Sequence, residues 1–165
     1  MPARSVVPAG RSASIALVEV TMEHDPSKSV TALAILSSEE DRLSLHRLFG
    51  NSNWILHTVD TFEEAVEVIR RTPMPVVIAE DRLGRRTWRD LLYALDGVEK
   101  PPVIIVTSRM ANESLWGEVL NFGGYDLLME PFERNEVYRV ISLAWLHWKH
   151  GRTQPDIRTH AVPAG

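Results

Sequence analysis

Two carboxylates, Glu80 and Asp81, follow directly after a short apolar run at residues 76–79. Pro75 precedes that run, and its continuous apolar character indicates a strand that is buried on both faces of a parallel sheet. In sheets of this kind, ligand chemistry gathers just beyond the carboxyl ends of the strands. The acidic pair is therefore a candidate functional site, at which a carboxylate could act as a nucleophile or help to hold a cation.

The composition narrows the classes of protein to which this chain can belong. It has 165 residues, 44% hydrophobic and 24% charged, which is typical of a globular chain with one core. The formal net charge of −4 creates no overall field that would attract nucleic acid or an anionic membrane. There is no cysteine, which excludes disulfides and thiolate chemistry. No apolar run approaches the roughly 18 residues that span a bilayer, and no signal-peptide pattern is present, so we expect a cytoplasmic protein.

The sequence divides into three regions. Residues 1–29 are rich in Ser, Pro, Ala and Gly and predict a flexible N-terminal arm, in which only residues 15–22 have the composition of a strand. Residues 30–148 predict one folded domain. Residues 149–165 are mostly polar and predict a flexible C-terminal tail.

Strand and helix patterns alternate regularly through the central region. Strands of the buried type are predicted at residues 31–36, 54–59, 76–79, 103–106 and 126–129. Helices are predicted at residues 39–49, 61–71, 88–95, 112–122 and 133–150. Five strands that alternate with five helices predict a three-layer α/β sandwich around a parallel sheet, with right-handed crossovers.

Polar residues follow four of the predicted strands at the edge where their carboxyl ends converge. They are Ser37 and Ser38, Glu80 and Asp81, Thr107 and Ser108, and Glu130 with Pro131. With this pattern the chain resembles the receiver domain of bacterial two-component response regulators, over about residues 30–148. The most specific part is residues 123–132, Gly-Gly-Tyr-Asp-Leu-Leu-Met-Glu-Pro-Phe, which is similar to the Gly-Ala-x-Asp-Tyr-x-x-Lys-Pro-Phe of receivers.

The resemblance implies a flavodoxin-like fold whose five strands lie in the order 2-1-3-4-5. It places Glu80 at the position of the phospho-accepting Asp and Thr107 at the Thr/Ser position of the fourth strand. The aromatic switch position of receivers falls on Leu127. The two acids that hold magnesium in receivers are replaced by Ser37 and Ser38. The receiver lysine that pairs with the phosphoryl group is replaced by Glu130.

These replacements predict a degenerate receiver, or pseudo-receiver. Phosphoryl transfer to a carboxylate depends on positioning and on cations that neutralise the developing charge. Serine hydroxyls supply no charge to magnesium, and Glu130 substitutes a repulsion for an attraction. We therefore expect no enzymatic activity, weak or absent Mg²⁺ binding and no other cofactor. Glu80 would then act as a fixed charge that imitates part of an aspartyl phosphate.

Several alternatives remain open at this site. Asp81 would become the acceptor if the third strand slipped by one residue. Glu80 and Glu130 would repel each other, so either one of them has a raised pKa or a cation lies between them. Glu39 and Glu40 could help to hold such a cation, or could simply be solvated.

The expected function is that of a stand-alone receiver-like module of a two-component or phosphorelay system, which acts through protein–protein contacts without phosphorylation. One alternative is a working receiver that accepts phosphate on Asp81 or Glu80. Another is a flavodoxin-like domain that binds a small ligand or a metal at the same edge of the sheet.

Aromatic residues of the last two helices are candidate partner contacts. They are Trp116, Trp145 and Trp148, with core packing as the alternative for each and Trp148 ranked first because it lies late in its helix. Receivers often dimerise through their fourth and fifth helices, so the resemblance implies a possible homodimer, or a kinase or effector bound there. Four arginines after the third strand would pair with local carboxylates, bind an acidic partner or be solvated: Arg82, Arg85, Arg86 and Arg89.

Overall fold

The predicted alternation of strands and helices is present in the computed structural model, which describes residues 29–151. The strands are β1 (Thr31–Ile35), β2 (Ile55–Val59), β3 (Val76–Glu80), β4 (Arg82–Leu83), β5 (Arg86–Thr87), β6 (Val103–Ser108) and β7 (Asp126–Met129). The helices are α1 (Glu39–Gly50), α2 (Phe62–Arg71), α3 (Trp88–Ala94), α4 (Glu113–Phe122) and α5 (Arg134–His150). The possible strand at residues 15–22 lies outside the described residues. Within residues 29–151, no helix is long and apolar enough to cross a membrane.

Five of the strands form one parallel sheet in the order β2-β1-β3-β6-β7. This is the order 2-1-3-4-5 of the five predicted strands, so the predicted fold class is confirmed. The central strand β3 has no exposed surface from Val76 to Ala79. Its unbroken apolar run is explained by this position, because both faces of a central parallel strand are covered by helices.

Helices cover the sheet on both sides and divide the core into two layers. Successive side chains of β3 alternate between them, as the two-residue period of a strand requires. Val77 and Ala79 pack in the layer that contains buried residues of α2, α3 and α4. Val76 and Ile78 pack in the layer that contains buried residues of α1 and α5.

A short antiparallel hairpin, β4 and β5, lies between β3 and α3 and was not predicted. Its turn contains Gly84 with a φ of 72°, a left-handed conformation that glycine adopts without strain. Each strand is only two residues long, so the sequence carries no alternating pattern that would reveal it. Trp88 follows the hairpin and is buried, and Thr87 and Asp90 form a capping box that begins α3.

Gly124 allows a close approach between the end of α4 and the start of β7. Its N–H donates to the Val119 carbonyl at 2.8 Å, and a Cβ at this position would lie 2.5 Å from Val119 Cγ1. Gly124→Ala should therefore lower the free energy of unfolding by about 1–3 kcal/mol, because the added methyl forces the two segments apart. Chemical denaturation measures this change.

Gly117, inside α4, is the matched control because a Cβ there would meet no atom within 4 Å. Gly117→Ala should raise the free energy of unfolding by about 0.5–1 kcal/mol, since alanine is the better helix former. A loss of stability at Gly117 as large as that at Gly124 would contradict the steric explanation.

Candidate functional site

All five parallel strands end at the carboxyl edge of the sheet, and the residues that follow β1, β3, β6 and β7 form what we call the mouth. The strand register places Glu80 of β3 beside Thr107 of β6. It also places Ser108 of β6 beside Met129 of β7, so that Glu130 follows next to the end of β6. The parallel topology thus brings together residues from distant parts of the sequence.

Glu80 points into the mouth and is held by Ser37. Its Oε1 accepts hydrogen bonds from the Ser37 backbone N–H at 3.0 Å and from the Ser37 hydroxyl at 2.7 Å. Ser38 has a different partner, because its hydroxyl accepts from the Asp41 N–H at 3.2 Å and caps α1. The two serines therefore stabilise Glu80 and the start of a helix respectively.

Glu130 is a buried carboxyl group with a hydrogen bond from Thr107. The Thr107 hydroxyl donates to Glu130 Oε2 at 2.7 Å, and both residues are almost fully inaccessible to solvent. Burial raises the pKa of Glu130 above its ordinary value of 4.5. The hydrogen bond from Thr107 opposes this increase in pKa, whereas the carboxylates of Asp41 and Glu80 add to it.

An ion pair between Asp41 and Arg109 completes the mouth and was missed in the sequence. Asp41 is only 3% exposed, and Arg109 Nη2 lies 2.9 Å from its Oδ2. The same guanidinium places its Nε 3.8 Å from Glu130 Oε1. Carboxylate oxygens of Asp41, Glu80 and Glu130 all lie within 4.8 Å of one another. Three acidic groups and one arginine therefore share the mouth.

A periodic signal could have identified Asp41. It lies four residues before Leu45 and eight before Phe49, the two other buried residues of α1, so it belongs to the stripe that faces the sheet. An acid in the first turn of a helix is, however, ordinarily explained by the helix dipole. No comparable local signal marks Arg109, which precedes α4 in a loop.

The alternation of side chains along β3 separates Glu80 from Asp81, the other acidic candidate at the end of this strand. Glu80 lies on the same side of β3 as Val76 and Ile78, which is the side of α1, and Asp81 comes next on the backbone. The Asp81 N–H donates to the Thr107 carbonyl at 2.9 Å, so the one-residue slip considered above does not occur. Among the described residues, the carboxylate cluster contains neither Asp81 nor the exposed pair Glu39 and Glu40.

Leu127, at the switch position implied by the resemblance, is a core residue. It lies on β7 beside Val106 of β6 and packs in the layer of α2, α3 and α4. An apolar side chain suits this buried position, because it leaves no polar group that would need a partner.

The exposure of the three tryptophans does not follow the predicted ranking, in which Trp148 came first. Trp148 and Trp145 are half-buried; Lys100 Nζ lies 3.9 Å from the centroid of the Trp148 ring, and Trp145 packs against the layer of α1 and α5. Trp116 is the most exposed, at 48%, although its Nε1 donates to Asp126 Oδ1 at 3.1 Å. Position late in a helix thus did not predict which indole faces solvent.

The arginines that follow β3 divide into two pairs. Arg86 lies over the Phe62 ring and 3.8 Å from Glu63, and Arg89 pairs with Glu118. Arg86 therefore anchors the hairpin to α2, and Arg89 anchors α3 to α4. Arg82 and Arg85 are exposed.

Solved structures with the same architecture are receiver domains. The signal receiver domain of an HD domain-containing protein from Pseudomonas fluorescens Pf-5 has a TM-score of 0.65 at 19% identity, over 74% of this chain and 98% of that one. The fold is that of a receiver domain. The beryllofluoride-activated NtrC4 receiver domain dimer matches with a TM-score of 0.65 at 18% identity, over 72% of this chain and 98% of that one.

A third receiver-fold match comes from a complex. The complex is the co-crystal structure of the Saccharomyces cerevisiae histidine phosphotransfer signaling protein Ypd1 and the receiver domain of its downstream response regulator Ssk1. This match has a TM-score of 0.62 at 10% identity and covers 76% of this chain and 93% of that one. No protein-family model matches the sequence, and no curated protein matches it either. The likeness is therefore one of fold.

Glu130→Gln should raise stability at neutral pH and leave it unchanged in acid. Because the pKa of Glu130 is raised in the folded state, its contribution favours folding below the ordinary value of 4.5 and is lost as pH rises through the folded-state pKa. Glutamine keeps an oxygen that accepts from Thr107 but carries no charge. Urea unfolding of the variant and the wild type should give curves that diverge above pH 4.5 and coincide below it.

Glu133→Gln is a suitable control, because Glu133 is exposed and caps α5. The difference in the free energy of unfolding between Glu133→Gln and the wild type should not become more favourable to the variant as pH rises. If Glu130→Gln is less stable than the wild type at every pH above 4.5, the explanation that ionised Glu130 destabilises the folded state is wrong.

Proposed function

We propose that this chain is a receiver-fold signalling module that works without phosphorylation, transmits its signal by protein–protein contacts in a two-component or phosphorelay pathway, and is not an enzyme. The observation that carries the proposal is the position of Glu130. A buried carboxyl group, hydrogen-bonded to Thr107, lies where the resemblance to receivers implies a lysine.

The electrostatics of the mouth support this proposal. A phosphoryl group on Glu80 would bring its negative oxygens towards the carboxylates of Glu130 and Asp41, which lie within 4.8 Å of Glu80. Catalysis of phosphoryl transfer requires the opposite arrangement, in which cations surround the transferred group. Arg109 supplies one positive charge but is already bound by Asp41.

We further propose that Mg²⁺ binding is weak or lost. Ser37 and Ser38, at the positions that hold magnesium in receivers, do not fit a magnesium ion, which requires charged oxygen ligands in near-octahedral geometry. The Ser37 hydroxyl donates to Glu80, and the Ser38 hydroxyl accepts the capping hydrogen bond of α1. A positively charged guanidinium also lies against the cluster of carboxylates.

The alternative functions have less support. A working receiver with Asp81 as acceptor would need this residue on the side of the mouth that Glu80 occupies. A flavodoxin-like ligand domain would need a cavity at the mouth, and the groove of about 480 Å³ between α2 and α3 gives this alternative no support because it lies away from the mouth. Its lining includes Phe62, Val66 and Arg70.

The wild-type protein should not be phosphorylated by a small phosphodonor in the presence of Mg²⁺. Intact-mass measurement checks this expectation, with an aspartate-bearing receiver treated in parallel to establish that the reagent is active. Stoichiometric addition of one phosphoryl group would refute the proposal. In that case Asp81→Asn and Glu80→Gln, measured separately, would identify the acceptor.

A second part of the proposal concerns the surface that contacts a partner, which we name the α4–β7–α5 face. It is defined by four exposed apolar residues on three adjacent elements: Trp116, Leu120, Met129 and Leu143. Trp116 and Leu120 lie one turn apart on α4, and the Trp116 indole reaches Asp126 of β7. Leu143 lies one turn before His147, whose ring is 5.3 Å from that of Tyr125, the residue before β7.

We propose that this face binds a second copy of the chain, a kinase or an effector. Exposed apolar residues grouped on neighbouring elements favour a protein contact. The matched NtrC4 receiver domain is described as a dimer, and the matched Ssk1 receiver domain was crystallised with a phosphotransfer protein. These are properties of those proteins, and they make self-association the first form of contact to test.

Leu143→Asp should weaken a homodimer at least about tenfold, because a charge in the centre of an apolar interface is costly. Sedimentation equilibrium over a range of concentrations measures the dissociation constant. Leu43→Asp on α1 is the matched control, since Leu43 is 52% exposed and lies on a different helix. A monomeric wild type, or an equal effect of both variants, would show that the proposed dimer is wrong.

A further inference from the structure

We propose that the Arg109 guanidinium is the resident cation of the mouth and replaces a divalent metal ion there. This inference deepens the proposed loss of Mg²⁺ binding and rests on it. It assigns a specific residue as the cause of that loss, and it predicts that removal of this residue would open a cation site formed by Asp41, Glu80 and Glu130.

The geometry places Arg109 among the acidic groups of the mouth. Its Nη2 lies 2.9 Å from Asp41 Oδ2, and its Nε lies 3.8 Å from Glu130 Oε1. The side chains of Asp41 and Glu130 are 4% and 2% exposed, whereas that of Arg109 is 52% exposed. The arginine therefore reaches over the cluster from the solvent side and presents its charged end to two carboxyl groups that water scarcely reaches.

The chemistry of a guanidinium suits this role. It stays protonated at all physiological pH values, and its planar set of N–H donors can contact two carboxylates at once. It is also attached to the backbone directly after β6, so that no free cation has to be captured from solution. A divalent ion that entered the cluster would meet this positive charge at short range, which opposes its binding.

The ion pair also connects two elements that are distant in sequence. Arg109 and Asp41 are 68 residues apart, and their contact joins the loop before α4 to the first turn of α1. In the same loop, the Met110 N–H donates to the Ser108 hydroxyl at 3.0 Å, and Asn112 caps α4. The ion pair therefore ties the loop that leads into α4 to the first turn of α1.

The test is a titration of the full chain with Mn²⁺ as the probe ion. Arg109→Met removes the charge and keeps an unbranched, largely apolar stem, and Arg109→Lys keeps the charge. We expect Arg109→Met to bind Mn²⁺ at least about tenfold more tightly than the wild type, as measured by electron paramagnetic resonance of the free ion. Its melting temperature should rise with Mn²⁺ but not with KCl at equal ionic strength, whereas Arg109→Lys should behave as the wild type does.

Arg89→Met is the matched control, because Arg89 also forms an ion pair, with the carboxylate of Glu118, but lies away from the mouth. It should lose stability without gaining affinity for Mn²⁺. The inference is overturned if folded Arg109→Met gains no affinity for Mn²⁺, or if Arg89→Met gains as much.

If Arg109→Met does not fold, a second variant tests whether the loss of its charge is the reason. The double variant Arg109→Met/Glu130→Gln removes one positive and one negative group. If it folds while the single variant does not, uncompensated carboxylate repulsion is the cause, which supports the inference. If neither folds, Arg109 acts through packing rather than charge, and the inference is wrong.

The outcomes separate this inference from the proposed function. If the wild type accepts no phosphoryl group and the Arg109→Met variant gains no affinity for Mn²⁺, only the role of Arg109 is refuted. A wild type that binds Mn²⁺ tightly refutes both the loss of metal binding and the role of Arg109. Phosphorylation of the wild type refutes the proposed function whatever the arginine variants do.

Discussion

The parallel pairing of β3 with β1 on one side and β6 on the other is the constraint on which the site depends. Both faces of β3 are buried, and its side chains alternate between the two helical layers. Since Glu80 ends this strand on the side of α1, its carboxylate faces Ser37 and the first turn of α1. A shift of one residue would turn Glu80 away from this side and replace it with Asp81.

Convergence of strand ends creates an electrostatic problem that the fold must solve locally. The carboxyl groups of Asp41 and Glu130 are buried. A buried carboxyl group needs either a hydrogen-bonding or charged partner for its ionised form, or a bound proton that keeps it neutral. The structure uses several means at once: backbone and hydroxyl donors at Glu80, the Thr107 hydroxyl and a raised pKa at Glu130, and the guanidinium of Arg109. The mouth is thus held together by contacts among its own residues.

The segment from β6 to α4 connects the mouth to the α4–β7–α5 face. Arg109 belongs to the mouth, while Trp116 and Leu120 lie on the helix that follows. Helix α5 has two sides that differ in burial: Tyr138 donates to the Leu48 carbonyl of α1 at 2.5 Å, whereas Leu143 remains exposed. One side of α5 therefore stabilises the domain, and the other faces solvent.

The sequence alone determined the elements and their order along the chain, because short apolar runs and helical periodicity are local properties that burial enforces. It also placed Glu80, Thr107 and Glu130 at strand ends, where a parallel sheet brings them together. It did not reveal the β4–β5 hairpin, whose two-residue strands are too short to carry a pattern.

Only the tertiary structure decided what neutralises the mouth. Asp41 has the local appearance of a solvated acid in the first turn of a helix, and Arg109 that of an arginine in a loop. Their ion pair joins residues 68 positions apart. It exists because α1 covers one face of the sheet at the point where β6 ends, and a contact set by the packing of separate elements leaves no trace in local sequence patterns.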